Sequence, residues 1–227
     1  MPENQNALIV FAKIPQANKV KTRLTSLISP EEAAALYDAM LKDALDVYQE
    51  LGMDVRLYFG PSDIDVPEDL QPAGVSIHTQ KGDGLGARMA AAFAETFVAG
   101  YTKVVIIGTD HPTLPDAFIL QAYEALSDSN AISIGPSEDG GYYLLGMNSF
   151  YPQVFQDMSY SHERVFIETL ARVEQTPASL HVLPEWYDVD DPETLQRLIQ
   201  DINAVDSGLM RTRVVLSELK KSYPTLV

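Results

Sequence analysis

The chain contains no cysteine. That absence excludes disulfides, thiolate metal sites and a cysteine nucleophile. No stretch approaches the roughly 20 apolar residues that a bilayer span needs. The opening Met-Pro-Glu-Asn-Gln-Asn lacks the basic start of a secretory signal, and the apolar run behind it is short. A soluble, cytoplasmic protein is the expectation. No repeat or linker composition breaks the 227 residues. One domain is expected over 1–227, with a C-terminal helical extension from about 204 to 227. Positive charge is scarce, with 16 Lys and Arg against 32 Asp and Glu and a net charge of −16. Such a surface repels nucleic-acid phosphates and anionic membranes, so neither is an expected partner.

A local absence matters more. Residues 4–30 hold no Asp or Glu, yet carry Lys13, Lys19, Lys21 and Arg23. They follow Ala7 to Ala12, a short apolar run that reads as the first buried strand. A basic loop leaving a strand end is placed to meet phosphates. The plainer reading is a solvated basic loop. The loop also lacks glycine, so a dinucleotide fingerprint is missing there, and no P-loop occurs anywhere in the chain.

Val104 to Ile107 are β-branched and apolar without alternation, the pattern of a central parallel strand covered on both faces. Gly108 ends the run and Pro112 prevents its continuation. Asp110 therefore stands just past the carboxyl end of a buried strand, where open α/β sheets bind ligands. It reads equally as a turn residue capping its own backbone. Further strands are expected at 55–59, 75–79, 131–134, 142–145 and 180–183. Helices are expected from Pro30, capped by Ser29 with Glu32, and over 87–98, 115–126, 163–173, 192–202 and 208–221. Ser161 is the expected cap of the 163–173 helix.

Gly82, Gly84 and Gly86 precede the 87–98 helix, and Arg88 lies in its first turn. The segment is either a tight connection or a place where backbone N–H groups approach an anion. Between 134 and 142 two strands follow one another without a helix, which implies an antiparallel strand beside a mostly parallel sheet. The loop between them carries Glu138 and Asp139, and Asp139-Gly140 is alternatively a hairpin turn. Late in the chain, Asp188 and Asp190 flank Val189 in extended chain, which puts both carboxylates on one side. Asp191 and Pro192 read as a helix start. Basic groups suggest an anion, and carboxylates among them suggest a hard cation bridging to it. Mg²⁺ characteristically takes one or two carboxylates plus substrate phosphates. The constellation reads as a metal–nucleotide-diphosphate site, with Lys21 and Arg23 on the phosphates.

Five ordered motifs then carry a family resemblance over residues 7–200. They are Phe11-Ala-Lys13-Ile-Pro15 with Lys19-Val-Lys21-Thr-Arg23-Leu24; Leu85-Gly86-Ala-Arg88-Met89; Gly108-Thr-Asp110-His-Pro112-Thr-Leu114; Gly135-Pro136-Ser-Glu-Asp139-Gly140-Gly141-Tyr142-Tyr143-Leu144; and Asp188-Val-Asp190. The chain resembles a bacterial family of glycosyltransferase-like proteins, described as nucleotide-diphospho-sugar transferase-like. That family is related to the guanylyltransferases of coenzyme F420 biosynthesis and to molybdenum-cofactor nucleotidyltransferases. The resemblance implies a three-layer α/β/α fold of GT-A type, with a mostly parallel sheet and one antiparallel strand. It implies an enzyme that uses Mg²⁺ or Mn²⁺ and a nucleotide or nucleotide-sugar; a homodimer is compatible with it. The metal would be held by Asp110 and Asp190, with Asp188 beside them. Lys13, Lys19, Lys21, Arg23, Leu85, Gly86 and Arg88 would hold the nucleotide and its phosphates. Gly140, Gly141 and Tyr142 would face the acceptor, with Asp139 as general base or as the group that orients the acceptor. The expected reaction is sugar transfer from a nucleotide-diphospho-sugar. The alternatives are nucleotidyl transfer with pyrophosphate release, and nucleotide binding without catalysis. Three positions depart from the family pattern: Asn18 for a glycine, Gly84 for an aspartate, and Tyr160-Ser161-His162 for a Trp-Ser-Thr-like run.

Overall fold

The computed structural model describes residues 4–62, 64–204 and 208–224. Parts of the expected C-terminal extension, 205–207 and 225–227, lie outside the described residues, as do the first three residues of the expected non-signal start. Seven strands form one sheet: β1 (Asn6–Ala12), β2 (Asp54–Phe59), β3 (Ser76–Thr79), β4 (Lys103–Ile107), β5 (Ala131–Pro136), β6 (Tyr142–Met147) and β7 (Ser179–Val182). Their spatial order is β3-β2-β1-β4-β6-β5-β7. The 104–107 run is therefore the middle strand. β6 alone runs against its neighbours, pairing antiparallel with β4 and β5. The sequence implied such a strand at the side of the sheet; it is instead inserted between two parallel blocks.

Helices cover both faces. α1 (Pro30–Glu50) and α3 (Asp116–Ala125) lie on one face, where Leu8, Val10, Leu57, Val105 and Ile107 meet Tyr37, Leu41, Leu45 and Ile119. On the other face α2 (Leu85–Val98) and α4 (Val165–Val173) pack Met89, Phe93 and Val173 against Ile9, Ile106, Ile134 and Leu145. The alternation along each strand feeds both cores, so the strands are apolar without interruption. α1 has a second apolar side. Leu36 and Met40 pack with Leu195, Leu198 and Leu216 of α5 (Pro192–Ala204) and α6 (Met210–Ser222), a third core outside the sheet layers. No described helix is long and apolar enough to cross a membrane.

Two helix starts decide how chain segments enter the site. Ser29 and Glu32 form the expected capping box at α1, and Gly52 ends the helix in left-handed geometry. The α4 start corrects the sequence reading. The helix begins at Val165, not Glu163, and Ser161 does not cap it. Ser161 has φ 72°, and His162 takes the capping work instead. Its Nδ1 accepts from the Arg164 N–H at 3.2 Å and its carbonyl from the Val165 N–H at 3.3 Å.

The capping box predicts a local cost. Ser29→Ala should lower unfolding free energy by about 1 kcal/mol. The check is a urea titration, which should show a lower midpoint at unchanged slope.

Candidate active site

Every parallel strand delivers its carboxyl end to one edge of the sheet, and a cleft of about 980 Å³ lies there. Lys13, Lys19, Lys21, Arg23, Leu85 and Arg88 line it from one side of the strand order. Asp139, Gly141 and Tyr142 line it from the other, with Asp110, Asp188 and Asp190 between. Two expected residues are not in its wall. Gly86 lies beneath Tyr160, whose ring would stand 2.5 Å from a β-carbon at that position. Gly140 has φ 87° and faces the Glu163 backbone, and its carbonyl accepts from the Phe166 N–H at 2.8 Å. It is a close-packing glycine that anchors the hairpin loop to α4.

The late aspartates reach the middle of the cleft by a chain of backbone bonds. After β7 the chain climbs past the 135–138 loop, with Leu183 N–H on the Ile134 carbonyl and Trp186 N–H on that of Pro136. It then crosses to the end of β4, where the Val189 N–H donates to the Asp110 carbonyl at 2.7 Å. Val189 is buried and its two neighbours face the cleft, as the extended pattern required. The Thr194 N–H donates to Asp191 Oδ1 at 2.9 Å, the helix cap expected at α5.

Lys21 is the centre of the site. Its ammonium contacts Asp110 and donates to Asp190 Oδ1 at 3.0 Å. The Lys21 side chain is 2% exposed, against 45% for Asp110 and 44% for Asp190. Each carboxylate thus keeps an open face toward the cleft. Burial alone would lower the lysine pKa, but the charges of Asp110 and then Asp190 overcome it and hold the pKa above the usual lysine range. A raised lysine pKa means stability fully present below the unfolded-chain value and lost only as pH rises through the folded one. The ammonium is therefore charged at any neutral pH. Backbone geometry sets the approach: Asn18 and Lys21 have φ of 63° and 47°. Asn tolerates that region, so the turn survives the missing glycine.

Residues not singled out by sequence reasoning hold this centre. The Tyr37 hydroxyl accepts from the Lys13 N–H at 3.0 Å and hydrogen-bonds Thr109 Oγ1 at 3.0 Å. Burial and then the charge of Asp110 push its pKa up to about 12, so the phenol stays neutral. Tyr37 lies on the apolar stripe of α1, and a phenol in that stripe is the only signal the sequence offers. Asp188 accepts from Ser137 Oγ at 2.5 Å and stands 3.5 Å from His111 Nδ1. Burial would raise its pKa, but the nearby His111 ring and the bond from Ser137 prevail and lower it. His111 is itself 1% exposed. Asp139 is exposed, and its Oδ1 accepts from the Gly141 N–H at 2.8 Å within its own turn.

The donor set fits a metal in one way. Among the described residues no group of three Asp, Glu or His side chains is disposed to hold an ion alone. Asp110 and Asp190 offer two hard oxygen donors with open faces, which suits an ion completed by substrate phosphates and water.

The fold is a GT-A-like α/β architecture, the fold of nucleotide-diphospho-sugar transferase-like and nucleotidyltransferase-like proteins. The chain belongs to the family described as "uncharacterized protein conserved in bacteria (DUF2064)", whose model matches residues 44–162. A protein of Desulfovibrio desulfuricans G20, provisionally assigned as a nucleotide-diphospho-sugar transferase, is 32% identical. The alignment covers 97% of this chain and 98% of that one, with TM-score 0.87. Rv0371c of Mycobacterium tuberculosis H37Rv, solved in complex with manganese, shares the fold at 19% identity and TM-score 0.53, over 87% of this chain and 98% of that one. A cytidylyltransferase from Leptospira borgpetersenii does so at 14% identity and TM-score 0.57, covering 99% and 97%. No curated protein matches the sequence.

The placement of Gly140 predicts a purely structural effect. Gly140→Ala would force a β-carbon into the Glu163 backbone from a left-handed position. Stability should fall by about 1–3 kcal/mol, read as a lower urea midpoint. An unchanged midpoint would return this glycine to the acceptor wall.

Proposed function

We propose that the protein is a divalent-metal-dependent transferase that takes a nucleotide-diphospho-sugar and passes the sugar to an acceptor. The observation that carries this reading is the convergence of Lys21, Asp110 and Asp190 at the carboxyl end of the central strand. Charge balance supports it. The cleft wall holds five cationic side chains (Lys13, Lys19, Lys21, Arg23, Arg88) and five anionic ones (Asp110, Asp139, Glu163, Asp188, Asp190). A diphosphate entering a balanced cleft alone would leave it negative; one entering with a divalent cation would not. The manganese bound to Rv0371c supports the same choice of ion.

In this reading Asp110 and Asp190 hold Mg²⁺ or Mn²⁺ together with the diphosphate, and Asp188 is the nearby carboxylate kept in place by Ser137 and His111. A bound divalent ion would neutralise charge on the leaving diphosphate. Lys21 and Arg23 take phosphate oxygens, with Lys13, Lys19 and Arg88 at the rim and the amino end of α2, at Leu85, beside them. The acceptor enters from the side of Gly141 and Tyr142. Its hydroxyl oxygen bonds to the anomeric carbon, its proton passes to the Asp139 carboxylate, and the diphosphate departs with the electron pair of the broken C–O bond. A second reading, nucleotidyl transfer with pyrophosphate release, is favoured by the likeness to a cytidylyltransferase. The lysine-rich, glycine-free first loop favours sugar transfer.

Two experiments test this. Asp110→Asn should abolish Mn²⁺-dependent binding of UDP and GDP in calorimetry while the protein remains folded. Affinity equal to wild type would remove Asp110 from the metal site. Product analysis separates the reactions: nucleoside diphosphate released from a nucleotide-sugar supports sugar transfer, whereas pyrophosphate released from a nucleoside triphosphate overturns it.

A further inference from the structure

Lys21 is built in as a fixed cation rather than left as a surface lysine. Its backbone is left-handed, with φ 47° and ψ 38°. A non-glycine residue in that region costs energy and persists only where its surroundings demand it. Val20 and Leu24, which flank it, are buried. The Tyr37 ring backs the ammonium, with its centroid 5.8 Å from Nζ. The side chain is thus walled in, and its charged end stands between Asp110 and Asp190 in the wall of the cleft. An ammonium has three N–H donors. Two go to these carboxylates, and the third has no partner among the described residues. Asp188 stays out of this contact, because its oxygens are turned to Ser137 and His111.

We propose that Lys21 makes the site take a divalent cation and a nucleoside diphosphate only as a pair. This inference rests on the nucleotide reading above. Asp110 and Asp190 carry two negative charges between them, and the buried ammonium offsets one. A divalent ion that arrives alone therefore meets a fixed positive charge in contact with both of its protein ligands. A diphosphate that arrives alone meets the spare N–H of Lys21, but also two carboxylates of its own sign. When the two arrive together, the carboxylates face the ion, and a phosphate oxygen takes the third N–H of Lys21. Each ligand then strengthens the other by the same factor, as linkage requires. A neutral side chain at position 21 would undo the pairing. The two carboxylates, no longer compensated, would draw the ion more strongly on its own, and the diphosphate would lose its donor.

The test is calorimetric titration of Mn²⁺ into wild type, Lys21→Met and Lys21→Arg, each alone and with saturating GDP or UDP, corrected for the association of Mn²⁺ with nucleotide in free solution. Wild type should bind Mn²⁺ about tenfold or more weakly alone than with nucleotide, within the ordinary range of coupling between two ligands. Lys21→Met should bind Mn²⁺ alone about tenfold more tightly than wild type, and the coupling factor should shrink by about that amount. Lys21→Arg keeps the charge and should keep the wild-type pattern. A gain in affinity separates the charge of Lys21 from a structural role, since a damaged site would only lose affinity. Wild type that binds Mn²⁺ as tightly alone as with nucleotide, or Lys21→Met that gains nothing for Mn²⁺ alone, would overturn the proposal. If the variants do not fold, the wild-type comparison decides. Failure of both nucleotides to bind under every condition would defeat the nucleotide reading as a whole, whereas independent binding of ion and nucleotide defeats only the pairing by Lys21.

Discussion

The ammonium of Lys21 stands between two carboxylates that lie 89 and 169 residues further along the chain. Asp110 hangs from the central strand and Asp190 from the segment that crosses above it. Each would otherwise face the other's charge across a narrow gap. Removing a partner from a buried ion pair leaves an uncompensated charge, which costs more than the pair was worth. The lysine therefore constrains three segments at once: the basic loop after β1, the end of β4, and the stretch before α5. The backbone bond from Val189 to Asp110 makes the same closure without charge. Side chain and main chain agree on one geometry, which is what holds open carboxylate faces at a defined place.

That geometry depends on elements whose purpose is not visible at the site. The third core, outside α1, packs α5 and α6 and so fixes where the chain arrives after Asp191. Asp43 of α1, itself buried, accepts from the backbone N–H of Arg211 at 3.2 Å and of Thr212 at 2.8 Å at the start of α6. Tyr37 of the same helix ties the first loop to Thr109. α1 is thus the common support: one side builds the sheet core, the other anchors the C-terminal helices, and one phenol on it orders the loop that carries Lys21.

Much of this was legible in the sequence because it is local. Uninterrupted apolar runs marked β1 and β4, a capping box marked α1, and the lack of a helix between 134 and 142 marked an antiparallel strand. What was not legible depends on partners distant in the chain. The position of β6 inside the sheet is a pairing choice, and the period of its side chains is the same wherever it pairs. Ser161 had the composition of a cap, but His162 satisfies the N–H groups at the start of α4. The meeting of Lys21 with Asp110 requires a left-handed residue that carries a lysine side chain, which composition does not signal. Gly140 shared its motif with Gly141, yet only the fold shows that one faces α4 and the other the cleft.

The charge of the whole molecule gives these details their weight. A net charge of −16 repels a nucleotide over most of the surface. The stretch without acids, residues 4–30, is the exception, and it opens on the cleft through Lys13, Lys19 and Arg23. Exposed charges of this kind act over about a Debye length, roughly 8–10 Å at physiological salt. They therefore guide an anion only once it is near the right edge of the sheet. Over the whole cleft wall the carboxylates offset the basic groups, so in the proposed reading holding a diphosphate would fall to oriented donors and to any cation that arrives with it. In the proposed reading, an acidic protein with a basic entrance and a charge-balanced cleft wall would favour a ligand that brings its own counter-charge.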